Sequence, residues 1–399
     1  MPELWTDLYF YVQEDATEET HNLAKTWIER CRHHTFSMTI QSFDMLPDSF
    51  INLLTIRPAM ITLLELEIPQ GALTFLEKLP SEVVLPNLEA LAVKPSAENL
   101  DLEEGWLLWP ESVRVFESAS KLEFVTMTVQ VEGFNPTSLH LPWHQLKDLS
   151  LNSPPSSFHI PCNNIRSILR KCTVLEQFSV SLDTRSIEVD LNDVITLPHL
   201  EILAITINHT LGIHFFECVD LPQLRTLALF IFPPSGFLVD LQPLADSQRA
   251  SNFSLTRLAL IYINVEQEDL LEILRLMPSL KDASLTFVSG LDEVFFSALQ
   301  DNNPDTALIP CLSALSTDCS SFPLPHLQSI LESRGYPGDL STSNSPTVAK
   351  LKSLTLVVEA NFDQSVFENF VGRGLALTLD RVIGRQPTPE SESESEEPE

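Results

Sequence analysis

The feature that most constrains this chain of 399 residues is a hydrophobic triplet spaced L-x-x-L-x-L, often with a proline just before it, that returns eleven times. It reads Ile61-Leu64-Leu66, Leu88-Leu91-Val93, Leu122-Val125-Met127, Leu146-Leu149-Leu151, Leu175-Phe178-Val180 and Leu200-Leu203-Ile205. It continues as Leu224-Leu227-Leu229, Leu255-Leu258-Leu260, Leu280-Ala283-Leu285, Leu312-Leu315-Thr317 and Leu351-Leu354-Leu356. Successive triplets begin 24 to 39 residues apart. One such match means little, because leucine is common. Eleven in order define a structural unit, and units of this length that cannot bury an apolar face alone must stack.

The spacing has a physical reading. The first apolar residue plugs the corner where the chain enters, and the next two point inward from a short strand whose alternate residues face out. In the stretch VEQEDLLEILRLMPSLKDASLTF, apolar residues at helical spacing over 268–277 are stopped by Pro278, and the alternation of a strand follows. Similar spacing predicts helices over 164–171, 292–299, 326–333 and 363–371. The expected fold is therefore α/β, an irregular leucine-rich-repeat solenoid with a curved parallel sheet and helices on its convex side. Irregularity is expected because the Asn or Cys that commonly follows the triplet occurs only as Asn152.

The ends differ from the repeats. Residues 1–34 read as a helical cap in two pieces: Leu4, Trp5, Leu8 and Val12 on one apolar face, Leu23, Trp27 and Ile28 on another, with Thr20 or Asn22 as N-cap. Phe36, Met38 and Ile40 then alternate as a strand, and the solenoid is expected over 35–384. The connection 334–348, rich in Gly, Pro and Ser, is expected to be flexible. Gly372 and Gly374 end the last helix before a strand through Leu375, Leu377 and Leu379, the reverse of the order a phosphate-binding glycine loop requires. Residues 385–399 hold six glutamates and no apolar residue, so an acidic disordered tail is expected. In it Ser391 and Ser393 each have a glutamate three residues on and are candidate sites for acidophilic kinases, against a tail that only solubilises.

Charge narrows the partners. With 24 basic and 55 acidic residues the chain carries −31, which disfavours nucleic acid and anionic membranes because phosphate binding needs basic patches. No apolar run approaches the roughly 20 residues that cross a bilayer. Six scattered cysteines form no C-x-x-C pair and read as small buried hydrophobes of a reducing compartment, so a cytoplasmic or nuclear protein is expected.

Enzyme signatures are missing: no G-x-S-x-G, no Walker loop, no H-E-x-x-H. His33 and His34 at a helix end suit the helix dipole better than a metal. No catalytic residue, cofactor or metal is therefore expected. The better candidate is the outward row of the strands. Thr126, Thr128, Asn152, Ser179, Ser181, Thr206, Phe230, Ile261 and Thr286 fall on it, mostly small and uncharged in a strongly acidic chain. The row reads either as a concave strip for a protein partner, anchored by Phe230 and Ile261, or as small residues that merely tolerate an exposed strand.

Taken together, P-E-L-W near the start, a helix ending in W-I-E-R-C, F-S-M-T-I, the repeated L-P-x-L-x-x-L-x-L units, E-I-L-R-L-M-P-S-L, I-P-C-L-S-A-L, S-I-L-E-S-R, L-K-S-L-T-L and G-L-A-L-T-L resemble the F-box and leucine-rich-repeat-like proteins of mushroom-forming fungi. The resemblance covers roughly residues 1–380. It implies a solenoid that selects substrate for a ubiquitin ligase, recruited through an F-box ahead of P-E-L-W. This sequence begins at Met1-Pro2-Glu3-Leu4-Trp5, so the F-box is expected to be missing and adaptor binding to depend on one upstream. Met45-Leu46-Pro47-Asp48 echoes an F-box start, but 50–68 fits a repeat better. The alternative is a stand-alone scaffold, or a relic with no ligase role.

Overall fold

The computed structural model describes residues 6–12, 18–31, 33–43, 50, 52–80, 82–94, 110–128, 135–153, 160–183, 194–208, 210–231, 238–301, 303, 306–334, 348–358 and 362–381. Fourteen strands lie side by side in chain order, every neighbouring pair parallel. They are β1 (Asp7–Val12), β2 (Phe36–Ser42), β3 (Ile61–Glu67), β4 (Ala90–Lys94), β5 (Phe124–Thr128), β6 (Asp148–Asn152) and β7 (Gln177–Asp183). Then come β8 (Ile202–Ile207), β9 (Thr226–Ile231), β10 (Arg257–Ile261), β11 (Asp282–Thr286), β12 (Ala314–Asp318), β13 (Ser353–Val358) and β14 (Ala376–Arg381). Parallel neighbours need a crossover after every strand, and here each crossover belongs to one repeat. The chain is an irregular leucine-rich-repeat solenoid.

The triplets account for this architecture. Every residue of all eleven is buried. They join one continuous apolar cluster running from Leu8 to Leu375. Each buried aliphatic side chain contributes about 1.5–3 kcal/mol relative to exposure. The one polar member, Thr317, faces inward because its hydroxyl donates to the Leu285 carbonyl at 2.8 Å.

The helices fall close to their predicted places. They are α1 (Glu18–Arg30), α2 (Cys162–Leu169), α3 (Gln242–Ser251), α4 (Gln267–Arg275), α5 (Glu293–Gln300), α6 (Leu324–Ser333) and α7 (Glu368–Gly372). Leu270, Leu271, Ile273 and Leu274 of α4 are buried, while Glu268 and Asp269 in its first turn and Arg275 in its last suit the helix dipole. The Asp292 carboxylate caps α5, accepting from Val294 N–H at 2.7 Å. The segment 363–371, expected as one helix, is a 3-10 turn over Gln364–Phe367 that passes into α7. The helix α3 was not predicted. Its Pro243 lies in the first turn, where no N–H is needed, and its apolar positions are few.

The N-terminal segment corrects the sequence reading. Residues 7–12 form the edge strand β1, not a helix, with Leu8, Phe10 and Val12 buried and Asp7, Tyr9 and Tyr11 exposed. Leu8 and Val12 fit either period, but Phe10 between them fits only the alternation, and aromatic residues favour strands. Thr20 and Asn22 lie inside α1, which begins at Glu18, so neither is its N-cap. Trp27 of α1 stacks on Phe10, with centroids 6.3 Å apart, and so covers the first strand. At the other end β14 is less sealed, with Leu377 and Leu379 only half-buried. The segments 335–347 and 382–399, including Ser391 and Ser393, and residues 44–49, lie outside the described residues.

Two buried polar groups tie repeats together. Arg334 at the end of α6 is buried, with Nε donating to the Leu299 carbonyl at 2.9 Å and Nη1 to the Ile309 carbonyl at 2.8 Å. Burial alone lowers its pKa to about 10. Gln248 of α3 likewise donates to the carbonyls of Phe253 and Leu276 at 3.2 and 3.1 Å. Cys31, Cys162, Cys172 and Cys218 are buried thiols, Cys319 is half-buried and Cys311 is exposed. Desolvation pushes Cys172 up to about 12 and Cys162 up to about 11, so these two thiols stay protonated and inert at neutral pH.

Candidate recognition surface

The strand register sorts the outward side chains into rows across the sheet. One row runs Ala92, Thr126, Ser150, Ser179, Ala204, Ala228, Ala259, Ser284, Ser316, Thr355 and Thr378. From β4 onward no member is charged, although acidic residues outnumber basic ones more than twofold in the whole chain; on β3 the row continues with Glu65, which pairs with Lys94. Two residues further along the strands lies a second row: Thr128, Asn152, Ser181, Thr206, Phe230, Ile261 and Thr286.

The first part of this surface is polar and tied to itself. Asn152 donates to Ser150 Oγ at 2.7 Å and accepts from Ser179 Oγ at 3.1 Å. Two of the nine predicted positions do not face solvent. Ser181 is 2% exposed, its hydroxyl accepting from Ser153 N–H at 3.1 Å, and Thr286 is 7% exposed. For Ser181 the cover includes Ser153, the residue that follows β6, a contact that register alone does not give. The other seven are partly exposed on the open face.

The middle is smooth and then rises to an aromatic wall. Ala204, Ala228 and Ala259 stand side by side on β8, β9 and β10, and Phe230 and Ile261 follow on the next row. Beyond them Tyr262 and Phe287 stack in parallel, with centroids 4.7 Å apart and planes 6° apart. Sequence reasoning missed this pair for a physical reason. In register, Tyr262 corresponds to Ile231, which is buried. Tyr262 and Phe287, however, take left-handed backbone conformations, with φ of 57° and 55°, and the buried places go to Ile263 and Val288. Tyr262 is consequently 47% exposed. A left-handed conformation costs an L-residue roughly 1–2 kcal/mol.

Asp318 on β12 anchors the turn. Its buried carboxylate accepts from the N–H of Phe287, from the N–H groups of Ser320 and Ser321 at 3.0 and 2.8 Å, and from both serine hydroxyls. Burial pushes this carboxyl up, but the hydrogen bonds outweigh it and the net pKa lies below the ordinary carboxylate value.

Two hollows lie elsewhere. One, of about 590 Å³, sits between the 3-10 segment Gln70–Lys78 and residues 112–118, lined by Leu76, Val83, Val84, Val115 and Arg114. At its rim Ser112 Oγ lies 3.1 Å from His140 Nε2. Glu77 accepts from the Ser112 backbone N–H at 2.8 Å, so this contact engages the serine backbone. The other hollow, of about 500 Å³, opens where β1 to β5 begin, beside Asp7, Leu63, Glu89 and the half-exposed Phe124. No helix among the described residues is long and apolar enough to cross a membrane.

No protein-family model matches the chain, and no curated protein matches it. Among solved structures, TLR13 from its complex with ssRNA13 is 17% identical, with a TM-score of 0.41 over 84% of this chain. This chain spans 41% of the length of that TLR13 chain. An internalin from Listeria monocytogenes is 12% identical, with a TM-score of 0.36 over 96% of this chain and 88% of its own. A Bacteroides fragilis protein is 13% identical, with a TM-score of 0.32, 77% of this chain and 69% of its own being covered.

Proposed function

We propose that this chain is a non-catalytic protein-recognition module whose concave sheet face holds a segment of a partner protein. The observation that carries the reading is the uncharged floor of Ala204, Ala228 and Ala259 beside Phe230, Ile261 and the stacked Tyr262 and Phe287. Small side chains let a backbone approach closely, and the aromatic wall supplies the anchors on which binding energy concentrates. A net charge of −31 favours a protein partner over nucleic acid, whose phosphates it repels. In the finer reading that the F-box resemblance supports, the partner is the substrate of a ubiquitin ligase, and the adaptor is engaged through an F-box encoded upstream of Met1.

The test is to replace Phe230 and Ile261 together by Asp and to capture partners by crosslinking in cells. Both side chains stand on the open face, so the variant folds with unchanged circular dichroism and loses its specific partners. Retention of those partners overturns the reading. Mapping the 5′ end of the transcript decides the finer one: an in-frame F-box supports ligase recruitment, and its absence leaves a stand-alone scaffold.

A further inference from the structure

The edge at which the strands begin carries a second pattern, distinct from the concave face. One aligned residue per strand is joined to the next by a backbone ladder, in which Arg225 N–H donates to the Glu201 carbonyl at 2.9 Å, Thr256 N–H to Arg225 at 2.8 Å and Lys281 N–H to Thr256 at 2.9 Å. The same ladder runs back from Glu201 through Glu176, Lys147 and Glu123 to Glu89, and forward from Lys281 through Ser313 to Lys352.

Charge divides this row at its midpoint. Over β4 to β8 it is acidic, and its one cation, Lys147, is held by Glu123 at 2.9 Å. That leaves Glu89, Glu176 and Glu201 exposed. Over β9 to β13 it carries Arg225, Lys281 and Lys352, all exposed and none in an ion pair among the described residues. Each half spans five strands at about 4.8 Å per strand. Glu201 and Arg225 meet at the midpoint without pairing to each other. Next to them Ile202, the first residue of β8, is 37% exposed.

We propose that this edge is a homodimer interface, its occupant a second copy of the chain packed edge to edge and antiparallel. A two-fold axis perpendicular to the sheet, passing between β8 and β9, reverses both strand direction and stacking order. The acidic half of each copy then faces the basic half of the other. Counting strands outward from the axis puts Glu201 opposite Arg225 and Glu89 opposite Lys352. Glu176 falls between Arg225 and Lys281 of the second copy, and the two Ile202 side chains meet near the axis. Only Lys147 comes opposite a like charge, Lys281, and Lys147 is already neutralised by Glu123. An axis along the stack would set acid against acid, so the charge pattern selects one arrangement. The overall charge of each copy opposes association at long range, but at physiological salt that repulsion is screened beyond about 8 Å, and the facing rows decide.

Sedimentation equilibrium of the full chain tests this at about 50 mM and about 500 mM salt. The expected result is a dimer that weakens about tenfold or more at the higher salt. Glu201→Arg and Arg225→Glu are each expected to be monomeric, because like charges then meet across the axis. Mixed one to one, the two variants are expected to form a heterodimer, which also shows that both are folded. In that mixture the first variant is basic at both central positions and the second acidic at both, so every contact across the axis joins opposite charges. A monomeric wild type at low salt, a dimer that both variants retain, or variants that fail to combine overturns the proposal. A monomer in which Arg225→Glu changes only the protease protection of residues 386–399 assigns the row to the chain's own acidic tail and likewise overturns it.

Discussion

The two halves of the solenoid reach the same sheet by different convex surfaces. From β9 to β13 every connection contains an α-helix, α3 to α6 in turn. Between β3 and β6 the described connections hold only 3-10 segments: Gln70–Lys78, Pro136–Ser138 and Trp143–Gln145. Proline number does not explain this, since the helical connections carry as many, but Pro243 and Pro325 there fall in first helical turns, where no donor is needed. The inward positions are nevertheless equally buried, Leu91 at 1% and Leu149 at 0% against Leu258 at 2% and Leu285 at 1%. The triplet and the parallel ladder define the repeat, and the convex side needs only to be apolar and continuous.

That comparison breaks first on the core. Leu91→Ala in the first half and Leu260→Ala in the second are each expected to cost about 3–4 kcal/mol, near the middle of the range for buried leucine truncations. Urea unfolding checks it, and a first-half cost below half of the second-half one would show that helices, not triplets, carry stability. Next in size is Asp318, which is found only in the second half. Asp318→Asn weakens a buried carboxylate holding two strand exits, at a cost of about 2–3 kcal/mol. Hydrogen exchange at Phe287 N–H, which is expected to speed up, reads this locally.

Asp318 also has a pH signature. Its folded pKa is lowered. Its stabilisation is therefore fully present above the unfolded value of about 4 and is lost as pH falls through the folded value. Wild type should lose more stability than Asp318→Asn between about pH 5 and pH 2. Equal losses would place the acid sensitivity elsewhere. A backbone constraint also sits at Gly290, whose φ of 91° and whose would-be Cβ only 2.3 Å from the Val265 carbonyl oxygen both exclude a side chain. Gly290→Ala should cost more than the roughly 1–2 kcal/mol of the positive φ alone, because the clash is with backbone, and should lower the thermal midpoint.

Much of the fold was legible along the chain. All eleven triplets are strands or strand corners, and α2, α4, α5 and α6 lie within two residues of their predicted limits, because each carries its own apolar periodicity. The edge strand β1 was misread because Leu8 and Val12 satisfy both periods, and pairing with β2 settled the matter. Of the nine outward positions, seven were placed correctly by alternation. Ser181 and Thr286 were not: both are buried, and Ser181 is engaged by Ser153 beyond the end of the neighbouring strand.

Sequence by itself determined the repeat, its inward residues and the uncharged row, because each follows from a period of two inside a short strand. Only the tertiary structure decided the rest. It turned Tyr262 and Phe287 outward, the left-handed turn at Phe287 being held by the Asp318 carboxylate 31 residues further along the chain. It also gathered Glu89, Glu176 and Glu201 and then Arg225, Lys281 and Lys352 onto one edge. These charges are scattered over more than 260 residues, and only the stacking of strands brings one from each repeat to the same height.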